Sequence, residues 1–359
     1  MKRALFTLLM LGVVVSLVFT ACASPTSTPT KAPVATATPT PAPVKVTTLK
    51  FATHAAPGGP QSDAVVWWAD EIAKRTNGQI KIQIYWSESL AKANEINNAI
   101  QNGTADMGMV TYSYFTANFP LNVMSDPVGF KPDLGVLMDA GYQFLKEYPQ
   151  FEAEHEKVNQ KLLAISGLSS YQLSTKKSVQ SLEDFKGLKV RTWGKYVPKW
   201  WQATGAVPTT VTGPETYEAL QKGILDASPI AYELIKSYKW YEVAKYVTEI
   251  NMGSVWGYAM TINLDTWKKL PPDVQKVLVE TGPLFSKKQV DLTYQEIDNV
   301  KKTLKDAGVT ILQLPAAERD KWKNMDAVKG TRDEWVKDVT AKGFPGQAMM
   351  DRFLQLIKY

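Results

Sequence analysis

Between Leu49 and Thr111 the apolar period of the chain switches repeatedly, and no other feature restricts its possible architectures as strongly. Leu49-Lys50-Phe51-Ala52-Thr53 and Ile80-Lys81-Ile82-Gln83-Ile84-Tyr85-Trp86 alternate apolar and polar residues, the period of a strand. Between them, Val65, Val66, Trp68, Ala69, Ile72 and Ala73 fall at helical spacing within Ser62–Lys74, and Asn77-Gly78 stops the helix. Residues 93–101 read as a second helix and 106–111 as a buried strand. A β-α-β-α-β order predicts a mostly parallel sheet with helices on its faces. Ligands in such sheets bind at the carboxyl ends of strands, where Thr53, His54, Thr111 and Tyr112 stand.

A second α/β unit is predicted from Tyr171 to Met252. It holds strands around 189–192, 208–211 and 225–229, with helices at 197–204 and 214–222. Arg191 ends the first of these strands, with Trp193 just beyond it. The chain then returns to the first lobe along Trp256–Asn263, and residues 271–307 read as one or two long helices, broken or bent near Gly282-Pro283. Two crossings between lobes make a hinge, and a hinge with facing strand ends makes a clamshell.

The ends and the charge narrow the reading further. Lys2 and Arg3, the uncharged apolar run Ala4–Phe19, and Thr20-Ala21 before Cys22 read as an export signal over residues 1–22 that ends in a lipid-attachment cysteine. The run is short of the roughly 20 residues a membrane span needs. Phe19 stands where leucine is usual, and the alternative is an ordinary cleaved signal with an incidental cysteine. Residues 23–47, as in Ser24-Pro25-Thr26-Ser27-Thr28-Pro29-Thr30, carry too little apolar surface to offset chain entropy and are expected to form a tether. Cys22 is the single cysteine, so the fold must be held by its core without an internal disulfide. The expected organisation is lobe I over 48–170, lobe II over 171–252, and a return to lobe I plus long helices over 253–359. The net charge of +6 includes Lys2 and Arg3 and is not gathered into a basic run, which argues against a nucleic-acid partner.

Catalytic machinery is not apparent. The two histidines, His54 and His155, lack metal-ligand spacing. The chain has no Gly-x-Gly-x-x-Gly, Walker or Gly-x-Ser-x-Gly motif, so it is expected to be a binding protein rather than an enzyme, with neither cofactor nor metal. A guanidinium where a strand runs out suits a carboxylate, because its planar donors meet both oxygens at once. The alternative for Arg191 is an ion pair to a nearby helix. Thr53, His54 and Thr111 reach a ligand or cap a following helix; Tyr112, Trp193 and Trp256 form aromatic walls or pack in the core.

Ser181-Leu182-Glu183-Asp184-Phe185-Lys186-Gly187 leads into Leu188-Lys189-Val190-Arg191, and Glu215-Thr216-Tyr217-Glu218-Ala219-Leu220-Gln221-Lys222-Gly223-Ile224-Leu225-Asp226 follows. With Lys74-Arg75-Thr76-Asn77-Gly78, Ile100-Gln101-Asn102-Gly103-Thr104-Ala105-Asp106-Met107 and Leu270-Pro271-Pro272-Asp273-Val274-Gln275, these phrases resemble the substrate-binding subunits of TRAP (tripartite ATP-independent periplasmic) transporters, the DctP-like family. The resemblance runs from about Leu49 to about Gly282. It implies an α/β two-lobed clamshell of the periplasmic-binding-protein type, with a helix spanning both lobes. The implied role is an extracytoplasmic receptor that hands a small organic acid to a small four-span and a large multi-span membrane subunit, and Arg191 is the implied carboxylate grip. A receptor for an ABC importer and a sensory lipoprotein are the rival readings. Where the family has Gly-Gln-Glu-Asn after Asp226, this chain has Ala227-Ser228-Pro229-Ile230, read as a rigid apolar turn. Tyr171 occupies the place of a second family arginine, and Gly213-Pro214 that of a frequent phenylalanine. Ile230 and Tyr171 together suggest a pocket that favours a monocarboxylate.

Overall fold

The computed structural model describes residues 46–359. The expected signal, Cys22 and nearly all of the expected tether lie outside them, although Thr47 already opens the first strand. Among the described residues no helix is long and apolar enough to cross a membrane.

Strands β1 (Thr47–Ala52), β2 (Ile80–Tyr85), β3 (Met107–Thr111), β4 (Gln160–Leu168), β5 (Gln172–Thr175), β6 (Lys189–Thr192), β7 (Val207–Thr210), β8 (Ala227–Ile230), β9 (Tyr246–Glu249), β10 (Val255–Asn263) and β11 (Thr310–Gln313) form two sheets. The first runs β2-β1-β3-β10-β4 and the second β11-β9-β5-β8-β6-β7. The first lobe's β-α-β-α-β order is as the periodicity predicts, and β1 pairs in parallel with both β2 and β3. Both sheets are nevertheless mixed: the return strand β10 runs antiparallel to β3 and β4 in the first, and β5 antiparallel to β8 and β9 in the second. Helix Pro60–Arg75 covers one face of the first sheet, burying Val65, Trp68 and Ile72. The helix expected at 93–101 begins only at Ile96, because the Glu88 carboxylate draws the Ala93 N–H into the preceding turn at 2.6 Å.

The segment Ala227–Ile230 is a strand of the second sheet, not a turn. Its proline is tolerated because β6 pairs with β8 only at Ala227, leaving Pro229 bonded on one side, opposite Leu173. Strand β11 pairs in parallel with β9. Residues 253–359 are therefore shared between the sheets and do not return to lobe I alone.

The helix Pro272–Asp306 carries the chain from one lobe to the other and is unbroken at Gly282-Pro283. It packs on helix Pro60–Arg75 and β4 in the first lobe, and on helix Tyr232–Ser237 and β11 in the second. Polar side chains set its register: Trp68 donates to Thr281 at 2.9 Å, Ser166 to Gln289 at 2.7 Å, and Gln289 to the Gly167 carbonyl at 2.6 Å. The two strand-to-strand crossings, β4 to β5 and β9 to β10, lie side by side, with Tyr171 N–H donating to the Gly253 carbonyl and Met252 N–H to the Tyr171 carbonyl, both at 3.1 Å.

Gly282 is where the long helix comes closest to the sheet. A Cβ there would stand 1.9 Å from the Leu163 carbonyl oxygen, which is backbone and cannot swing aside. Gly282→Ala should therefore cost about 1–3 kcal/mol or more, the range of core overpacking, measured as a lowered urea midpoint. A midpoint equal to that of the native chain would show that the helix can lift off β4 freely.

Candidate functional site

The carboxyl ends of β3 and β6 and the amino end of the antiparallel β10 converge on a cavity lined by Thr111, Ser113, Tyr114, Tyr171, Arg191, Trp193, Val255, Gly257 and Tyr258. It encloses about 20 Å³, on the order of a single water. Arg191 is the only charged residue lining it and is 4% exposed. Its Nε donates to the Val211 carbonyl at 2.9 Å and its Nη2 to the Tyr114 hydroxyl at 3.3 Å. The guanidinium lies 5.2 Å from the centre of the Trp193 ring, a cation–π contact. No ion pair of the described residues includes Arg191. The helix ion pair that sequence reasoning left open is absent there, and most of the guanidinium's five donors are unclaimed by protein.

Tyrosines surround this charge. Tyr114 accepts from Arg191 and also from the Gly213 N–H at 2.9 Å. Burial raises the hydroxyl pKa values of Tyr171, Tyr238 and Tyr258, with the Arg191 charge pulling the other way. They stay protonated and offer neutral donors. Tyr171 and Trp193 meet edge to face at 5.4 Å. Behind them His54 is buried, with Nε2 2.9 Å from Thr111 Oγ1 and Nδ1 3.2 Å from the Tyr238 hydroxyl. Burial, then the Arg191 charge, lowers its pKa to about 4.

Of the residues singled out from sequence, Arg191, Trp193, Tyr171 and Thr111 line the cavity, and His54 backs it through Thr111. Four others do not line it. Thr53 Oγ1 accepts the Ala55 N–H at 3.0 Å and caps its own turn. Tyr112 opens the 3₁₀ turn that follows β3 and turns into the first lobe's core, where its hydroxyl meets His155 at 3.1 Å. Trp256 packs against Phe151 and Phe353. Ile230 is buried in the core of the second lobe.

Sequence reasoning missed Ser113, Tyr114, Val255, Gly257 and Tyr258. Ser113 and Tyr114 sit in a 3₁₀ turn after β3, where strand periodicity no longer applies. A bulge separates Tyr258 from Trp256: Trp256 pairs with Gly167 and Tyr258 with Ser166, so Gly257 is skipped. The extra residue returns Tyr258 to the face of Val255 and leaves Trp256 on the other. A glycine inside an apolar strand was the one available signal.

Comparison with known proteins places this geometry in context. The sequence profile of the bacterial extracellular solute-binding proteins, family 7, matches residues 51–330. The C4-dicarboxylate-binding periplasmic protein DctP of Rhodobacter capsulatus is 27% identical over 302 residues, covering 82% of this chain and 88% of that protein. A TRAP periplasmic solute-binding protein from Desulfovibrio salexigens superposes with a TM-score of 0.72 at 25% identity, covering 88% of this chain and 97% of the other. A marine-metagenome TRAP solute-binding protein specific for aromatic acids, in complex with 3-hydroxybenzoate, shares the fold with a TM-score of 0.78 at 22% identity, over 87% and 98% of the two chains.

The buried imidazole yields a direct test. Its NMR resonances should keep their neutral positions from pH 8 down to about pH 5, since the lowered pKa leaves the ring unprotonated above about 4. A titration midpoint near the ordinary value of about 6.5 would mean that His54 is solvated and does not form the back wall.

Proposed function

The chain belongs to the bacterial extracellular solute-binding proteins of family 7, the TRAP solute-binding receptors of small organic acids, and from that premise we propose that it captures a monocarboxylate between its lobes, gripped by Arg191. The observation that carries this reading is a buried guanidinium with free donors and no carboxylate partner among the described residues. An uncompensated buried charge costs several kcal/mol, which a ligand carboxylate would offset while meeting the fork with both oxygens.

The preference for one carboxylate rests on the same surroundings. Arg191 is the only cation lining the cavity, and Lys195, the nearest basic residue in sequence beyond it, is tied to Asp338 and Glu334. A second carboxylate would enter without a partner. Trp193, Tyr171 and Tyr258 offer flat walls and neutral hydroxyls, which suit an aromatic or 2-oxo acid. The solved relative that binds 3-hydroxybenzoate supports this reading, whereas the Rhodobacter relative named for C4-dicarboxylates is the counter-case. Ile230 lies in the core and does not line this cavity. Because the cavity holds about 20 Å³, binding requires the lobes to part and close again on the acid.

Delivery would be to the paired membrane subunits of a TRAP carrier, from a position on the outer face of the cytoplasmic membrane held by a lipid on Cys22. Labelling with a fatty-acid analogue should be lost in Cys22→Ala; label retained by that variant would leave Cys22 as an incidental residue of an ordinary signal.

Thermal-shift screening should rank aromatic and 2-oxo monocarboxylates above succinate and malate, because a ligand that binds only the folded state raises its melting temperature. The largest shifts from dicarboxylates would sink the monocarboxylate assignment. For whichever acid leads, Arg191→Ala should weaken calorimetric affinity by about 2–5 kcal/mol, and Arg191→Lys should also bind poorly, as a point charge cannot replace the fork. Near-native affinity in Arg191→Ala would show that the arginine is structural.

A further inference from the structure

Tyr114 reaches Arg191 from the opposite lobe. It closes the 3₁₀ turn Tyr112–Tyr114 that follows β3 of the first sheet, whereas Arg191 belongs to β6 and Gly213 follows β7 of the second. The phenol oxygen accepts two N–H donors there, Arg191 Nη2 at 3.3 Å and the Gly213 backbone at 2.9 Å. The absence of a side chain on Gly213 keeps this corner open. A Cβ on it would stand 3.7 Å from the Tyr114 oxygen and 3.9 Å from Arg191 Nη2, leaving little room for anything longer.

A phenol both donates and accepts, and here the accepting side is spent on the second lobe. Among the described residues no hydrogen bond uses the Tyr114 O–H as its donor. Two N–H groups on one oxygen turn its own proton away from them, and Tyr114 lines the cavity. The Arg191 charge strengthens that donor, because an N–H given to the oxygen polarises the O–H in turn. We propose that Tyr114 is a second carboxylate-binding residue: in the closed cleft its O–H donates to the carboxylate that Arg191 grips. The assignment rests on the reading of the cleft as a monocarboxylate site. The acid then meets donors from both lobes, the guanidinium fork from the second and the phenol from the first, and so bridges them. Both contacts that orient the phenol come from the second lobe, so the donor is set only when the lobes are together. Arg191 and Tyr114 offer the ligand donors only. That selects an ionised acid over the corresponding primary amide, whose own N–H groups would find no acceptor on them.

Benzoate and pyruvate serve as probes, one aromatic acid and one 2-oxo acid, with affinity read by calorimetry on the full chain. Tyr114→Phe keeps the ring and removes the hydroxyl. It should weaken whichever probe binds by about 10- to 100-fold, the worth of a hydrogen bond to a charged group. Replacing Tyr114 by 3-fluorotyrosine separates donating from accepting, because the ring fluorine makes the O–H a better donor and the oxygen a poorer acceptor. Retained or tighter binding in that protein supports the assignment. Weaker binding would overturn it, since the hydroxyl would then matter as an acceptor for Arg191 and Gly213 and not as a donor to the acid. Native affinity in Tyr114→Phe would overturn it too, and a lowered urea midpoint beside that affinity would mark a merely structural role. Undiminished affinity in Arg191→Ala, or no binding of either acid by the native chain, removes the monocarboxylate reading on which the proposal rests. A loss in Arg191→Ala with none in Tyr114→Phe removes the tyrosine assignment alone.

Discussion

A positive charge buried between two lobes, with no negative charge beside it, is the constraint on which the rest of the cleft depends. Arg191 is placed there because β6 ends at Thr192 and strand ends of both sheets face one another. Its neighbours are chosen for neutrality: protonated tyrosines, an uncharged imidazole and an indole face. Any acidic side chain close by would satisfy the guanidinium permanently and remove the incentive to bind. Leaving it short of a partner costs stability in the empty receptor, and that cost is recovered when a carboxylate arrives.

Such a site works only if the lobes can separate without losing register. The two strand-to-strand crossings meet at Tyr171 and Gly253, where Gly253 has φ +99° and a Cβ would stand 2.2 Å from the Lys131 backbone nitrogen. Backbone approach this close leaves no room for a side chain, so the hinge is thin and its position is defined. The helix Pro272–Asp306 provides the opposing stiffness. Anchored by Thr281 and Gln289 on the first lobe, it reaches helix Tyr232–Ser237 and β11 on the second. Pro283 does not break it, because tertiary packing on β4 outweighs the local cost of one missing backbone donor.

Much of this was legible beforehand, and the particular residues show why. Thr111 and Tyr171 were recognisable as cleft residues, one from its place at a strand end and the other by alignment with a family arginine. For Tyr112 and Trp256 the sequence leaves aromatic wall and core packing both open, since a position near a strand end does not reveal which way a side chain turns; both lie in the core. The bulge at Gly257 sends Trp256 and Tyr258 to opposite faces, where plain alternation would put both on one. Ser113 and Tyr114 lie in a 3₁₀ turn that carries no strand period.

By itself the sequence determined the α/β class, the order of elements in the first lobe, the return to the first sheet along β10 and the strand-end arginine. These follow from local periodicity and from motifs whose spacing is set by single elements. Only the tertiary structure decided that both sheets are mixed, that β11 joins the second sheet, that the long helix runs unbroken, and which aromatic residues face the cleft. Each of those outcomes depends on contacts between residues far apart in the chain, such as Gly282 against Leu163 or Tyr114 against Arg191. Their energies exist only once the sheets are assembled, so no local pattern could encode them.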